Sequence, residues 1–311
     1  MNDNINLIVG TGVIGAYLAK LLLKKKQKII VTSRKIKKEF KNYKYLGIQE
    51  KVKFIKLNIY KKSEIEKILS RYVPKKIFYF AGQSSLPKSI VFPEETYNSH
   101  FLGTKNFLEV LRQKKSKIKF FKANSGYIFK PKKGLVNLNC KFSENKNPYI
   151  SAQKKTFKLI DKFRKLNLST YNLVFFQVES PLRPDSFFIK KVCLGAIRKK
   201  KIIIGNVKTS RDYSWAPEIV KFIFEASNNS SQNFLISAGK KFSGTEILKY
   251  AYQNKKLDYR KYYQIDKKFF RKNENILLIG DPKNTKNIEK KFKLNFNITK
   301  KLLINKMIRS L

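Results

Sequence analysis

Short apolar runs and stretches of helical spacing alternate along the first 180 residues of the chain. Ile5 to Val9 is an apolar run of strand length, the apolar residues from Ala16 to Leu23 follow helical spacing, and Ile29 to Val31 is a second apolar run. Further strands are predicted in "VKFIKLNI", "KIFYFAG", "IKFFKANS" and "STYNLVFFQV". This order predicts a strand, a glycine turn, a helix and then another strand at the start of the chain.

Predicted helices fall between these strands. One covers Ser63 to Leu69, with Ser63 as its N-cap, a second is "GTKNFLEVLRQ", and a long third one starts at Tyr149. Strands that alternate with helices are typical of a parallel, doubly wound sheet. The sequence therefore predicts an α/β fold with a Rossmann-type sheet.

The turn after the first strand carries three glycines, Gly10, Gly12 and Gly15, in the pattern GxGxxG. Between a strand and a helix this pattern is the fingerprint of dinucleotide binding. Gly10 permits the tight turn, Gly12 lets the backbone approach a pyrophosphate, and Gly15 lets the helix pack on the sheet. The helix N-terminus then presents unpaired N–H groups to the phosphates.

The residues that end the second strand select between NAD and NADP. An acidic residue there binds the ribose 2′-OH of NAD, whereas this chain has Thr32, Ser33, Arg34 and Lys35. A hydroxyl followed by two cations favours the 2′-phosphate of NADP, with NAD as the alternative. Two further candidates for cofactor binding are Asn58 and Ala81, the penultimate residues of the next two predicted strands.

The composition is strongly basic, with a formal net charge of +48. Most of the cations are lysines spread over the whole length, whereas a nucleic-acid face favours clustered arginine. We therefore interpret the charge mainly as compositional drift and expect no specific nucleic-acid partner, although such a field attracts phosphorylated small molecules.

No basic segment leads into an apolar one at the start, and no apolar run approaches the ~18 residues of a membrane span. Two cysteines without a CxxC or His/Cys cluster favour a reducing cytoplasm and no metal site.

Several stretches together resemble the extended short-chain dehydrogenase/reductases, and among them most closely the GDP-mannose 4,6-dehydratase family. They are "AGQSSLPKSIVFPEETYNSHFLGTKNFLEVLR", "QVESPLRPDSFFIKK", "GNVKTSRDYSW" and "DKKFFRKNENILLIGDPKNTKNIEKKFKLNF". The glycine turn departs from the spacing GxxGxxG that is usual in the extended family, because one residue is missing. The resemblance implies a Rossmann domain in residues 1–178 plus about 212–238, and a smaller α/β domain for a nucleotide sugar in residues 179–211 and 239–311.

The same resemblance implies a nucleoside-diphosphate sugar as substrate, with a GDP-sugar favoured. Arg211 matches the arginine that holds the pyrophosphate, and a guanidinium fork suits two phosphate oxygens. An alternative is that Arg211 and Asp212 form only a local ion pair. The other residues that match substrate contacts are Glu179, Lys190, Lys191, Arg271 and Glu274.

Chemistry at the sugar C4 is what the resemblance implies for the active site. Tyr149 matches the tyrosine that takes the 4-OH proton, and Ser125 matches the Ser or Thr that binds the same oxygen. Gln153 stands where the family has a lysine, four residues after the tyrosine, that lowers its pKa. Tyr127 stands where dehydratases have the glutamate that abstracts the C5 proton. The adjacent Lys154 lies about 100° further round the helix and is expected to point away.

These two replacements leave three interpretations open. The chain is a dehydratase-like enzyme that makes sugars for surface glycans, a 4-keto reductase or epimerase that needs only the tyrosine and its support, or a binding protein that has lost turnover. The lone His100 is expected to be structural. By resemblance we also expect a homodimer or homotetramer through helices near residues 104–114 and 150–165.

Overall fold

The computed structural model describes residues 5–270 and 274–311. The strands, in chain order, are β1 Ile5–Val9, β2 Lys28–Ser33, β3 Lys53–Lys56, β4 Lys76–Tyr79, β5 Lys119–Ser125, β6 Leu135–Val136, β7 Thr170–Phe175, β8 Gln177–Glu179, β9 Ile202–Ile204, β10 Ser210–Arg211, β11 Tyr213–Trp215, β12 Asn233–Ile236, β13 Phe242–Ser243, β14 Tyr263–Ile265 and β15 Leu277–Gly280.

Helices occupy most of the intervening segments. The α-helices are α1 Val13–Lys24, α2 Lys41–Tyr45, α3 Lys62–Tyr72, α4 Leu86–Val91, α5 Pro93–Tyr97, α6 Gly103–Gln113, α7 Pro148–Lys165, α8 Phe188–Ile197, α9 Ala216–Ala226, α10 Gly244–Gln253, α11 Pro282–Phe292 and α12 Lys300–Arg309. A π-helical turn, Asn98–Leu102, joins α5 to α6, and short 3₁₀ turns lie at Gln49–Lys51, Gly126–Ile128, Tyr259–Lys261 and Lys267–Phe269.

One compact unit comprises the described residues of 5–130, 141–175 and 220–234. It contains the predicted sheet, which within the described residues has the strand order β12-β7-β5-β4-β1-β2-β3. The pairings β1 with β2 and β4, β2 with β3, β4 with β5, and β5 with β7 are all parallel. The chain reverses its direction of winding between β1 and β4, and the crevice at such a switch point is where doubly wound sheets bind ligands. The predicted Rossmann-type α/β fold is therefore confirmed.

The core of this unit follows from the apolar runs. Leu7 and Val9 of β1, Phe120 of β5 and Phe107 of α6 are at most 1 % exposed and belong to one buried cluster. Burial of a side chain of this size contributes on the order of 1.5–3 kcal/mol to folding.

The second compact unit comprises the described residues of 131–140, 176–219, 235–270 and 274–311. Its largest sheet has the order β13-β10-β15-β6, and two pairs, β8 with β11 and β9 with β14, accompany it in the described residues. Helices α8, α10 and α12 share a buried cluster that includes Val192, Ile247 and Leu303. This unit is an α/β structure, as the sequence predicted.

Three predicted details are corrected by the structure. Residues 131–140 belong to the second unit because β6 pairs with β15, and residues 212–219 belong there because β11 pairs with β8. The predicted strand at 169–178 divides at Phe176 into two strands. Ser63 does not cap α3, because the helix begins at Lys62 and Ser63 lies within its first turn.

Candidate active site

The glycine turn lies at the switch point of the sheet, as the fingerprint predicts. Gly10 has a φ of 105°, and a Cβ there would come within 2.9 Å of the amide nitrogen of Ala81, so two of the candidate residues are neighbours. A Cβ on Gly15 would lie 3.0 Å from the carbonyl oxygen of Gly10. A Cβ on Gly12, the N-cap of α1, would meet nothing within 4 Å. The turn is therefore closed toward the sheet and open at the helix N-terminus.

The end of β2 places the ribose-selecting residues at the same edge of the sheet. Ser33 is the last residue of the strand, and the Arg34 guanidinium forms an ion pair with Glu95 at 3.0 Å while its side chain stays 62 % exposed. Asn58 follows β3, and its Oδ1 accepts a hydrogen bond from the amide of Tyr60 at 3.0 Å. The cation that suits a 2′-phosphate is thus accessible.

Tyr149 and Gln153 lie one turn apart on α7 and contact each other. Asn147 caps this helix by accepting a hydrogen bond from the amide of Tyr149 at 3.0 Å, and Pro148 occupies the first turn. Gln153 Nε2 donates to the Tyr149 hydroxyl oxygen at 3.2 Å. Gln153 is 3 % exposed, and its Oε1 has no hydrogen-bond partner among the described residues. The glutamine therefore supports the phenol oxygen with a dipole instead of a charge.

Ser125 ends β5, the strand against which α7 packs. Its hydroxyl accepts a hydrogen bond from the amide of Tyr127 at 3.3 Å, and the side chain is 6 % exposed. Tyr127 lies in the following 3₁₀ turn and is half-buried. Lys154 donates to the carbonyl of Ser143 at 2.9 Å. It is therefore held by the loop before α7, in agreement with the direction expected for it.

His100 lies beneath the tyrosine, in the π-helical turn. Its ring packs edge-on against the Tyr149 ring with centroids 5.4 Å apart, and Nε2 contacts the carbonyl of Gln83 at 2.8 Å. A Cβ on Gly82 would lie 2.4 Å from its Cε1, so the absence of a side chain there makes room for the ring. Burial, aided by the charge of Lys122, lowers the pKa of His100 to about 3. The imidazole is therefore neutral.

Sequence reasoning missed Lys122, which lies in the middle of β5. Its side chain is 1 % exposed, and burial lowers its pKa to about 7. The signal was available in "FFKAN", where the lysine follows two phenylalanines within a predicted strand. It was hidden by the large number of lysines elsewhere.

The second unit contains the residues matched to substrate contacts. Arg211 is 5 % exposed and forms an ion pair with Glu274 at 2.7 Å, so two of the candidates are adjacent. Asp212 instead accepts hydrogen bonds from the amides of Ala238 and Gly239 at 2.9 and 2.8 Å. Burial raises the pKa of Asp212 to about 6 despite these bonds.

The remaining substrate candidates are held by their own segment. Glu179 is 2 % exposed, its Oε2 has no hydrogen-bond partner among the described residues, and burial raises its pKa to about 7. Lys190 forms an ion pair with Asp185 at 3.0 Å, and Lys191 donates to the carbonyl of Ile203 at 2.6 Å. Arg271 lies outside the described residues.

Comparison with known proteins places these residues in a family context. The model of the GDP-mannose 4,6 dehydratase family matches residues 7–307. A GDP-mannose 4,6-dehydratase from Vibrio cholerae serotype O1 is 23 % identical over 266 residues, which cover 80 % of this chain and 71 % of that protein. GDP-mannose 4,6 dehydratase 1 from Arabidopsis thaliana is 24 % identical over 301 residues, which cover 91 % and 83 %.

Solved structures show the same fold. A UDP-glucuronic acid 4-epimerase from Bacillus cereus, in complex with UDP-glucuronic acid and NAD, has a TM-score of 0.85 at 15 % identity and covers 98 % of both chains. A dTDP-glucose 4,6-dehydratase from Bacillus anthracis, in complex with NAD, has a TM-score of 0.83 at 16 % identity and covers 98 % of this chain and 96 % of that one. The family model spans nearly the whole chain, and the chain belongs to the GDP-mannose 4,6-dehydratase family.

Proposed function

We propose that this protein is a nucleotide-sugar-modifying enzyme that uses NAD(P)-dependent redox chemistry at the sugar C4. The observation that carries this proposal is the glycine turn. Gly10 has no room for a side chain against Ala81, whereas the face of Gly12 is open at the N-terminus of α1. A pyrophosphate needs this close approach to backbone N–H groups.

The residues of the first unit fit a nicotinamide dinucleotide. Gly10, Gly12 and Gly15 would hold its pyrophosphate, and Ser33 and Arg34 its adenosine ribose. The buried Gln153 Oε1, which has no hydrogen-bond partner among the described residues, could accept a hydrogen bond from a ribose hydroxyl. When bound, the nicotinamide supplies hydride acceptance and donation.

The side chains of the chain itself would handle the proton. Tyr149 would accept the proton of the sugar 4-OH as a general base, and Ser125 would donate a hydrogen bond to the same oxygen. Gln153 already donates to the Tyr149 oxygen and would stabilise its ionised form. An ordinary tyrosine has a pKa near ~10. A neutral donor supports the phenolate less than a lysine would, so turnover slower than that of an enzyme with lysine at this position is expected.

Tyr127 determines which reaction of the family the site favours. Elimination across C5 and C6 needs a group that abstracts a proton from carbon, and a carboxylate suits this step better than a phenol does. A 4-keto reductase or epimerase is therefore the alternative function. A binding protein that retains cofactor and nucleotide sugar without turnover is a further alternative, because Gln153 carries no charge.

We favour NADP as cofactor and a GDP-sugar as substrate. The product would be a sugar for surface glycans, and the protein would act in the cytoplasm. Arg34 is exposed near its strand end, where a 2′-phosphate would bind. Arg211 would hold the diphosphate, and the Glu274 carboxylate would accept from the ribose hydroxyls or the guanine edge of the nucleotide. Glu179, Lys190 and Lys191 would complete the substrate site. Among the described residues, no helix combines the length and apolar character needed to cross a membrane.

Incubation of the purified protein with GDP-mannose and NADP tests the proposal. A 4-keto-6-deoxy product detected by mass spectrometry supports dehydration despite Tyr127. Reduction of a 4-keto sugar nucleotide with NADPH, or exchange of C4 epimers, supports the alternative enzyme. Binding of both ligands without any product in these assays supports the binding protein, whereas failure to bind a dinucleotide contradicts all three.

The oligomeric state is a separate proposal. We propose a homodimer or homotetramer that associates through α6 and α7, and sedimentation equilibrium of the purified chain tests it. A particle of twice or four times 36.5 kDa is expected. A monomer at micromolar concentration would contradict it.

A further inference from the structure

The buried imidazole of His100 contacts two segments of the proposed active site at once. Its ring packs against the Tyr149 ring at an interplanar angle of 84°, with the centroids 5.4 Å apart. Its Nε2 lies 2.8 Å from the carbonyl oxygen of Gln83. Because a carbonyl oxygen only accepts, Nε2 carries the ring proton and donates it to this bond. The orientation of the imidazole is therefore fixed on the side that faces away from the phenol.

The backbone of His100 is held against the helix that carries Tyr149. Its carbonyl oxygen accepts a hydrogen bond from the Thr104 hydroxyl of α6 at 2.6 Å, and the Thr156 hydroxyl of α7 lies 3.2 Å from the same oxygen. Thr156 follows Tyr149 by about two helical turns. His100 thus contacts α7 at two levels, once through its ring and once through its backbone.

The loop after β4 fits closely around the same ring. Gly82 has a φ of 124°, and a Cβ there would lie 2.7 Å from Nδ1 of His100. The residue before it is Ala81, whose amide nitrogen a Cβ on Gly10 would approach to 2.9 Å. Close-packed contacts of this kind transmit displacements from one neighbour to the next. A continuous series of contacts therefore runs from the glycine turn, through this loop and the imidazole, to Tyr149.

The hydrogen bond from Gln153 holds the phenol only loosely. Its Nε2 donates to the Tyr149 oxygen at 3.2 Å, which is at the long end of N–H···O bonds. Such a bond restrains the oxygen, whereas an edge-on ring contact also restricts the plane of the phenol. A general base must lie within hydrogen-bond reach of the proton that it takes. The plane of the phenol consequently matters for the proposed chemistry.

We propose that His100 is a positioning residue for Tyr149. Its ring would hold the plane of the phenol, and its bond to Gln83 would hold the ring against the loop beside the glycine turn. The distance between a bound dinucleotide and the phenol oxygen would then depend on this side chain. His100 takes up no proton in this role. The inference rests on the proposed function of Tyr149, but its first test needs no turnover.

The bond between Gln153 and Tyr149 reports the position of the phenol. In protein with ¹⁵N-labelled glutamine side chains, the Gln153 amide resonance is the one that is absent from Gln153→Leu, and its exchange with solvent deuterium measures how well the bond is protected. His100→Leu fills a similar volume without a ring or a ring nitrogen, and it should raise this exchange rate about tenfold. His100→Phe restores an aromatic ring and should bring the rate back to within about threefold of the wild type.

Phe163→Leu is the control for a general loss of stability. Phe163 is buried near the end of α7, about four turns after Tyr149, so its truncation should change the exchange of the Gln153 amide by less than about twofold. Equal exchange rates in wild type and His100→Leu would show that the side chain only fills space and would overturn the inference. An equally large rise in Phe163→Leu would overturn it as well.

Kinetics give a second, independent readout. With a sugar nucleotide that the wild type converts, His100→Leu should lower kcat by about ten- to hundredfold, because a small displacement of a catalytic group is costly. KM should stay within about threefold, since His100 is not among the proposed sugar contacts. An unchanged kcat contradicts the inference. If the Gln153 amide responds to His100 as expected while no sugar nucleotide is converted by the wild type, the positioning of Tyr149 stands and the proposed function fails.

Discussion

Lys122 gives the most quantitative prediction about folding. Burial lowers its pKa from an ordinary 10.5 to about 7, so the unfolded chain binds more protons than the folded chain between these two values. Stability therefore rises with pH across this window, and the destabilisation that Lys122 causes is fully present below pH 7 and lost toward pH 10.5. At about 1.36 kcal/mol for each pKa unit, the cost is at most about 4 kcal/mol at pH 7 and about 2 kcal/mol at pH 9.

Lys122→Met removes this cost without opening a cavity. We expect the variant to exceed the wild type in free energy of unfolding by up to about 4 kcal/mol at pH 7, and by about 2 kcal/mol less at pH 9. Urea denaturation followed by circular dichroism at both pH values measures the difference. Lys76, whose pKa burial lowers to about 8, titrates in the same window, but it is present in both proteins and cancels.

The control is Lys67→Met, which removes an exposed lysine of α3 and should leave the dependence of stability on pH unchanged. If the wild type and Lys122→Met gain stability in parallel between pH 7 and 9, Lys122 is hydrated or paired in solution and the reasoning is wrong. A variant less stable than the wild type at pH 7 would equally refute it.

Two further predictions concern the other parts of the account. Gly12→Ala should fold with a stability within about 0.5 kcal/mol of the wild type because its Cβ meets no atom within 4 Å, yet its dinucleotide affinity should fall at least tenfold. Gly10→Ala should lose about 1–3 kcal/mol of stability because its φ is 105° and its Cβ would clash with Ala81. Calorimetric titration with NADP and urea denaturation measure the two effects, and equal affinity of Gly12→Ala and wild type would contradict the cofactor site. Glu274→Gln should cost about 3 kcal/mol of stability because it removes the negative charge that pairs with the buried Arg211. An unchanged urea midpoint would show that the ion pair does not form.

The glycine turn and the alternating elements could be predicted because they depend on local rules. The types of neighbouring residues indicate a φ above zero, a helix N-terminus, and a hydrophobic period of two or 3.6 residues. Gly10 was located in this way, whereas Ser125 and Tyr149 were chosen from the family resemblance; Ser125 ends β5, and Tyr149 lies on α7.

The partners of charged side chains could not be predicted from the sequence. The pairing of Arg211 with Glu274 joins residues 63 positions apart, and β6 joins the second unit only because its strand partner is β15. Lys122 looked like one of many dispersed lysines, and only the packing of the strand shows that it is buried. Such facts depend on tertiary neighbours, which a local pattern does not specify.

The central claim is that this chain performs redox chemistry at a sugar carbon with a nicotinamide cofactor. The most direct test uses GDP-mannose carrying deuterium at C4 and follows the label in the protein with NADP by mass spectrometry. Deuterium should be transferred to the nicotinamide ring in the wild type, and this transfer should be absent in Tyr149→Phe. The claim of redox catalysis is contradicted if no label moves from the bound GDP-mannose to the bound dinucleotide over many hours, and if neither reduction of 4-keto sugar nucleotides nor exchange of C4 epimers is detected.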